Sequence, residues 1–425
     1  MLRSIKISRF KSIRDMDLDF GRVNLFIGGN GAGKSNLLEA IGVVSAALYR
    51  GVSDSELARK GVRLTPPALM KSAFKNFDLP KTFRIEASLD PGINYAIELS
   101  ASERDTHLSF FSEKCEFRGT KTFGRSGRGV TVLGSKVAQK SWVSSRSLWD
   151  QSRVAFPYPE EVQTAFDELA RYAIYSPQTE FLREIKSGKA DEPPVGLHGE
   201  GLAAAVASLM EQARQMRPSK KASANAERSI LTDAISLVWL PGWTRSVRVG
   251  SLDSILKSRE LASTDGNVIY FIDRFMNEKR NKLSAYDSSE GTLFLLFMTV
   301  LMAHRDSPKI FALDNVDSAL NPAMTRKVIE LITSISRKKT ENNLALGPAQ
   351  VFLTSHNPTS LDAFDLFDDD QRVFILFRND DGHTTAKRLK PKSGWSREDW
   401  TANFSGKKLS QLWIDGEISG ALGSM

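Results

Sequence analysis

"RVNLFIGGNGAGKSNLLEAI", residues 22–41, decides how this chain is read. A strand more continuously apolar than those before it, Val23 to Ile27 with Asn24 its one polar residue, enters a turn with four glycines in six residues and leaves as an apolar-periodic helix. That is strand, phosphate-cradling loop, helix. The glycines let backbone N–H groups close around phosphate oxygens, and the helix start adds positive potential. Lys34 is expected on the β- and γ-phosphates and the Ser35 hydroxyl on Mg²⁺, with Gly28, Asn30, Gly31, Gly33 and Asn36 completing the nucleotide site. The bland alternative, a glycine-rich turn, does not need the flanking strand and helix.

A second stretch, "FALDNVDSALNP" at 311–322, has the apolar strand and terminal aspartate of a nucleotide hydrolase. Asp314 closes that strand. The next position, where a glutamate usually activates water, is Asn315, and Asp317 is the nearest substitute base. Upstream, "YDSSEGTLFLLFMTVLMA" opens a long helix at Ser288 or Ser289, both good N-caps, followed by Gly291. That helix start offers a hydroxyl and free N–H groups, a second phosphate-binding end. Downstream, His356 closes the strand "QVFLTS", where a neutral imidazole could sense a γ-phosphate.

With 425 residues, 41% hydrophobic and 25% charged, the chain has the composition of a globular protein of two or three domains. One cysteine, Cys115, excludes an intramolecular disulfide framework and a cysteine zinc cluster. The N-terminus has no signal-peptide pattern, and the longest apolar run is too short to span a bilayer, so a cytoplasmic protein with no membrane partner is expected. The net charge of +8 is concentrated in residues 104–153, which carry ten Lys/Arg against four acids. Such a segment favours a polyanion, nucleic acid above all, or is a solvated face.

The patterning divides the chain into 1–100, the first half of an α/β core with short antiparallel strands and the glycine loop; 101–265, a basic hairpin and helical insertion; 266–380, the second half of the core; and 381–425, a C-terminal segment. In the last, Leu409, Leu412, Trp413 and Ile418 are expected to pack into a core or to dock a partner.

The order of these motifs resembles the ABC-class ATPases, and the opening "ISRFKSIRDMDLDFGRVNLFIGGNGAGKSNLLEAI" looks like their RecF/SMC/OLD branch. The resemblance covers roughly 1–100 and 265–380. It implies an ABC-type ATPase head, a P-loop parallel sheet with an N-terminal antiparallel β-subdomain. It also implies ATP and Mg²⁺ as cofactors, with Ser289 to Thr292 of one copy capping ATP held by another. The same resemblance implies Mg²⁺ contact through Asp314, a D-loop at Ser318 to Leu320 and a switch histidine at His356. Self-association driven by ATP, as a dimer or a larger homo-oligomer, is then expected.

Three departures bear on function. No glutamine lies between the P-loop and residue 139, so the family's Q-loop has no counterpart there. No heptad run is present for an SMC-type coiled coil. The residues after about 380 are too few for the acidic TOPRIM nuclease of full OLD proteins. The chain therefore resembles stand-alone OLD-like ATPases of anti-phage systems, which implies a separately encoded effector, a nuclease or toxin. A RecF-like DNA-repair clamp and a non-hydrolysing nucleotide-gated scaffold are the alternatives.

Overall fold

The computed structural model describes residues 1–425 except 101–106, 139–141, 187, 189, 193, 217–220, 252–266 and 419–425. The fold is α/β, and the described chain forms two compact units. The first comprises Met1–Ile174, Ile310–Asn315 and Gln350–Met425; the second, Tyr175–Lys309 and Val316–Ala349.

In the first unit, eight antiparallel strands form one sheet, in the order Ile13–Asp19, Leu2–Phe10, Thr82–Leu89, Ile93–Ser100, Ser109–Phe117, Thr120–Ser126, Gly129–Val132, Ser135–Val137. The basic hairpins thus continue the N-terminal sheet, because Ile93–Ser100 leaves an edge that Ser109–Phe117 pairs along its whole length. Thr82–Leu89 buries alternate residues, as a half-covered antiparallel strand does.

A second sheet runs Ile174–Tyr175, Ile310–Leu313, Gln350–Ser355, Val23–Ile27, Gln371–Arg378, Thr384–Leu389. Its three central pairings are parallel and its last antiparallel. Val23–Ile27 and Gln350–Ser355 are buried at every residue, which explains their apolar centres, and the buried polar residues are paired, Asn24 with the Gly21 backbone and Gln350 with Leu2. Phe20 meets Phe352 edge-on at 5.0 Å, and Phe26 lies 5.5 Å from Phe374, so aromatic rings fill one face. At the C-terminal end, Leu412, Trp413 and Ile418 are buried while Leu409 is only partly covered. The helix Leu409–Ile414 is pinned by Ser410, whose N–H and hydroxyl donate to Asp362 at 2.9 and 2.7 Å.

In the second unit the helix Glu290–Ala303 is buried from Thr292 to Ala303. That is why its sequence is apolar on all sides: it is a core helix. Among the described residues no helix is long and apolar enough to cross a membrane. The helix Ala222–Trp239 packs on it, with Thr299 donating to the Ala234 carbonyl at 2.9 Å. Gln212, on the helix Leu202–Gln215, caps its far end by donating to Ala303 O at 2.8 Å. Thr244–Ser251, Asn267–Asp273 and Lys282–Ser284 make a three-stranded antiparallel sheet.

Candidate functional site

Three adjacent parallel strands of the first unit bring their C-terminal ends together, where α/β sheets hold ligands. Val23–Ile27 delivers Gly28, Ile310–Leu313 delivers Asp314, and Gln350–Ser355, between them, delivers His356. The loop backbone can be built only with glycine at two places. Gly33 has φ +100° and a Cβ there would lie 2.1 Å from Thr384 Oγ1; at Gly28 it would lie 2.1 Å from the Leu376 carbonyl oxygen.

Lys34, the first residue of the helix Lys34–Tyr49, is buried and folds back over the loop. Its ammonium donates to the Gly28 and Gly29 carbonyls at 2.7 and 3.0 Å and lies 3.2 Å from His356 Nδ1. An ammonium can only donate, so Nδ1 accepts and the imidazole proton sits on Nε2. Ser35 Oγ donates to Asp314 Oδ2 at 3.1 Å. Thr354 Oγ1 donates to Asp314 Oδ1 at 2.5 Å and accepts from the Asn315 N–H at 2.7 Å. Asp314 is thereby aimed by two hydroxyls. Asn315 itself has φ +58°, in the left-handed region that asparagine tolerates better than most side chains.

Four participants were not singled out from sequence. Arg378, at the end of Gln371–Arg378, donates from Nε to the Gly31 carbonyl at 2.9 Å, and burial pulls its guanidinium below its ordinary pKa. Arg63 donates from Nε to Glu39 at 2.5 Å and from NH2 to Asn36 Oδ1 at 3.0 Å. Lys11 pairs with the other oxygen of Glu39, and burial lowers its pKa despite that partner. This pair ties "FKSI" to "NLLEAI", the two pieces of sequence on which the resemblance rests. Thr354 stood inside a quoted motif, and only the strand order sets it beside Asp314. Asn36 Nδ2 also donates to Ser12 Oγ at 2.6 Å.

The result is a pocket of about 300 Å³ lined by Asn30 to Asn36 with Arg63, Asn315, His356 and Arg378. Three cationic side chains, a helix N-terminus and exposed loop N–H groups make it suited to a polyphosphate. The Ser35 hydroxyl and the Asp314 carboxylate are hard oxygen donors of the kind Mg²⁺ takes. No group of three or more His, Cys, Asp or Glu suited to a metal occurs among the described residues. A cation here would therefore share its shell with ligand phosphate and water.

In the second unit, Ser289 is the N-cap of Glu290–Ala303 and accepts from the Thr292 N–H at 3.3 Å. Ser288 is buried and turned away, donating to the Ser284 carbonyl at 2.8 Å. Gly291 lies against the Ser318 to Leu320 turn, where a Cβ would come within 2.9 Å of the Ala319 carbonyl oxygen. Asp317 belongs to this unit and is half-buried.

The 104–153 segment spends much of its charge internally. Arg125 is buried against Glu113 at 3.0 Å and donates to the Val143 and Arg146 carbonyls. Lys114 pairs with Glu116, Arg118 with Glu161, Arg146 with Asp150 and Arg153 with Asp167. Lys121, Arg128 and Lys136 are exposed. Arg104, Asp105 and Lys140 lie outside the described residues. Cys115 is buried, and burial holds its thiol protonated.

The fold and the loop define a P-loop protein of the ABC-ATPase type. The family described as "AAA domain, putative AbiEii toxin, Type IV TA system" matches residues 23–362, and the chain belongs to that family. It is similar to the DNA replication and repair protein RecF of Heliobacterium modesticaldum, 37% identical over 214 residues, 48% of this chain and 50% of that protein. The chain thus spans about half the length of the curated relative it matches. Among solved structures it is similar to the SMC head domain from Thermotoga maritima, at 15% identity over 92% of this chain and 99% of that one, with a TM-score of 0.43. It is also similar to the recombination mediator protein RecF-ATP of the RecFOR pathway, at 16% identity over 92% and 99%, with a TM-score of 0.35.

Proposed function

We propose that this chain binds ATP with Mg²⁺ in the Gly28 to Asn36 pocket, assembles with further copies of itself when it does so, hydrolyses slowly, and controls a separately encoded effector in anti-phage defence. The observation that carries the nucleotide site is the junction of Ser35, Asp314 and Thr354 beside Lys34.

Lys34 leaves the Gly28 and Gly29 carbonyls for the β- and γ-phosphates, with the Gly28 to Gly33 N–H groups closing on the remaining oxygens. Ser35 and Asp314 hold Mg²⁺, which supplies charge neutralisation on the phosphate oxygens. His356, neutral and next to the lysine, reports whether a γ-phosphate is present. Ser289 and Gly291 of a second copy close over that phosphate. Asn315 orients the attacking water and cannot take its proton. Asp317 is the candidate base, and without a strong base the rate falls by about 10²–10⁴-fold. The nucleotide state, not its consumption, is then the signal.

The name of the matched family, which mentions a putative toxin and a toxin–antitoxin system, favours an effector-linked role. The RecF similarity favours the alternative equally, a DNA-binding repair ATPase holding phosphates through Lys121, Arg128 and Lys136. One experiment separates them: purification with the products of neighbouring genes, then mass measurement with and without ATP, followed by DNA binding across salt. An effector that co-elutes, with mass rising on ATP, supports the first reading. Tight DNA binding with a steep salt slope and no co-eluting protein replaces it with the second. Failure to bind ATP removes both.

A further inference from the structure

Each unit carries a charged turn tied by hydrogen bonds to its phosphate-binding backbone, and the two turns have opposite sign. In the second unit, the turn between Asn267–Asp273 and Lys282–Ser284 exposes four cations, Arg274, Lys279, Arg280 and Lys282, and one acid, Glu278, near Phe275, which is 73% exposed. The turn is pre-formed: Asp273 Oδ1 accepts from the Phe275 and Met276 N–H groups at 2.7 and 3.1 Å. It is joined to the Ser289 helix start through one residue. Arg274 N–H donates to the Trp243 carbonyl at 3.0 Å, and the Trp243 indole donates to Thr292 Oγ1 at 3.0 Å, itself 2.6 Å from Ser289 Oγ.

In the first unit, the turn between Gln371–Arg378 and Thr384–Leu389 exposes Asp380 and Asp381. It too is pre-formed, with the His383 N–H donating to Asn379 Oδ1 at 2.8 Å. Arg378 joins it to the P-loop, donating to the Gly31 carbonyl at 2.9 Å and the Gly382 carbonyl at 2.5 Å. Exposed apolar surface accompanies it. Leu64 follows the pocket-lining Arg63, and Leu79 lies two residues beyond Phe77, whose ring packs 5.1 Å from His383.

We infer that the basic turn at 274–282 of one copy docks on the acidic turn at 379–382 of a second copy, so that these turns set the register in which Ser289 meets the P-loop. The inference rests on the head-to-tail closure proposed above, which places each copy's Ser289 helix at the other's P-loop. A turn fastened to each of those two elements then meets its opposite. The occupant is a second copy because the charges complement, each turn is held rigid, and a large exposed aromatic near cations matches a mixed apolar and acidic rim. Ionic contacts here act on partner choice and encounter more than on the depth of binding.

The test is a charge swap on the full chain, read by ATP-dependent self-association at low salt, with fluorescent-ATP binding as the folding control. Lys279→Glu with Arg280→Glu, and separately Asp380→Lys with Asp381→Lys, should each weaken ATP-dependent assembly about tenfold or more, since each homodimer then has two like-charged junctions. Mixing the two variants should restore assembly, because both junctions of the mixed dimer are again opposite in sign. Variants that assemble like the wild type overturn this inference and leave the head-to-tail reading standing. A wild type that binds ATP and stays monomeric overturns both. Loss of nucleic-acid binding in the basic-turn variant with unchanged assembly gives that turn to nucleic acid and overturns the docking.

Discussion

Ser35 Oγ donates to Asp314 Oδ2 at 3.1 Å across 279 positions of sequence. Both oxygens are hard donors of the kind Mg²⁺ takes, and each is already turned toward the other. Little side-chain entropy remains to be lost on binding.

Lys34→Ala should leave the chain folded: the ammonium's partners include the Gly28 and Gly29 carbonyls and His356 Nδ1, and the helix Lys34–Tyr49 keeps its buried apolar face. Its affinity for a fluorescent ATP analogue should drop on the order of 10²-fold, one or two charge-assisted hydrogen bonds. Ser35→Ala should lower affinity only when Mg²⁺ is present. Equal binding by Lys34→Ala and wild type would remove the polyphosphate assignment of the pocket.

Asn315→Glu should speed phosphate release on the order of 10²-fold by restoring a base. The same substitution should cost about 1 kcal/mol of stability, because position 315 has φ +58° and glutamate fits the left-handed region less well than asparagine. Asp317→Ala should slow what turnover the wild type has. Steady-state phosphate release and denaturant melts read the two effects separately; brisk wild-type turnover indifferent to Asp317→Ala would place the base elsewhere.

Ser289 is exposed at its helix start, so Ser289→Arg should fold. ATP binding by the P-loop of the same chain should persist while the ATP-dependent rise in mass, read by light scattering, is lost. Gly291→Val should instead lower stability, since its Cβ would crowd the Ala319 carbonyl at 2.9 Å. An assembly unaffected by Ser289→Arg would rule out trans capping.

Arg125→Ala should destabilise the first unit by about 3–5 kcal/mol, as breaking the buried pair leaves the Glu113 carboxylate without its counter-charge, held by the Tyr95 hydroxyl and the Leu148 N–H. Burial already raises the Glu113 pKa, with the Arg125 guanidinium opposing it. Triple replacement of Lys121, Arg128 and Lys136 by Ala should leave the melting temperature near wild type and flatten any salt dependence of DNA binding by about 0.9 per lost phosphate contact. A stable Arg125→Ala protein would show that the pair carries no structural weight.

Glu184 is buried, its Oε2 has no hydrogen-bond partner, and desolvation pushes its pKa up to about 7 against the help of the Ile269 N–H. A raised carboxyl pKa means the folded state holds the proton more tightly than the unfolded one. Its contribution is therefore full below about pH 4.5 and is lost as pH rises toward 7, on the order of 3 kcal/mol in all. Glu184→Gln should melt higher than wild type at pH 8 and about equally at pH 4.5. A pH-independent difference between the two would contradict this.

The local sequence was enough wherever a short segment has one physical solution. Gly28 to Ser35 between an apolar strand and a helix can do little but cradle an anion, and Ser289 before an apolar helix caps it as its position requires. The apolar helix Glu290–Ala303 and the strands Val23–Ile27 and Gln350–Ser355 were likewise legible, since burial on all sides leaves apolar stretches with few polar interruptions. Tertiary structure decided everything that depends on strand order and on which charge meets which. Arg63 and Arg378 enter the pocket, and Thr354 meets Asp314, only because separate segments converge on the same sheet end, and single positions far apart in sequence leave no periodic trace. Arg125 counted as one more basic residue until the hairpins placed it on Glu113, since composition records charge and not burial. The left-handed backbone at Asn315, a consequence of the turn leaving Ile310–Leu313, gives a structural reason for asparagine at a position where chemistry alone would ask for glutamate.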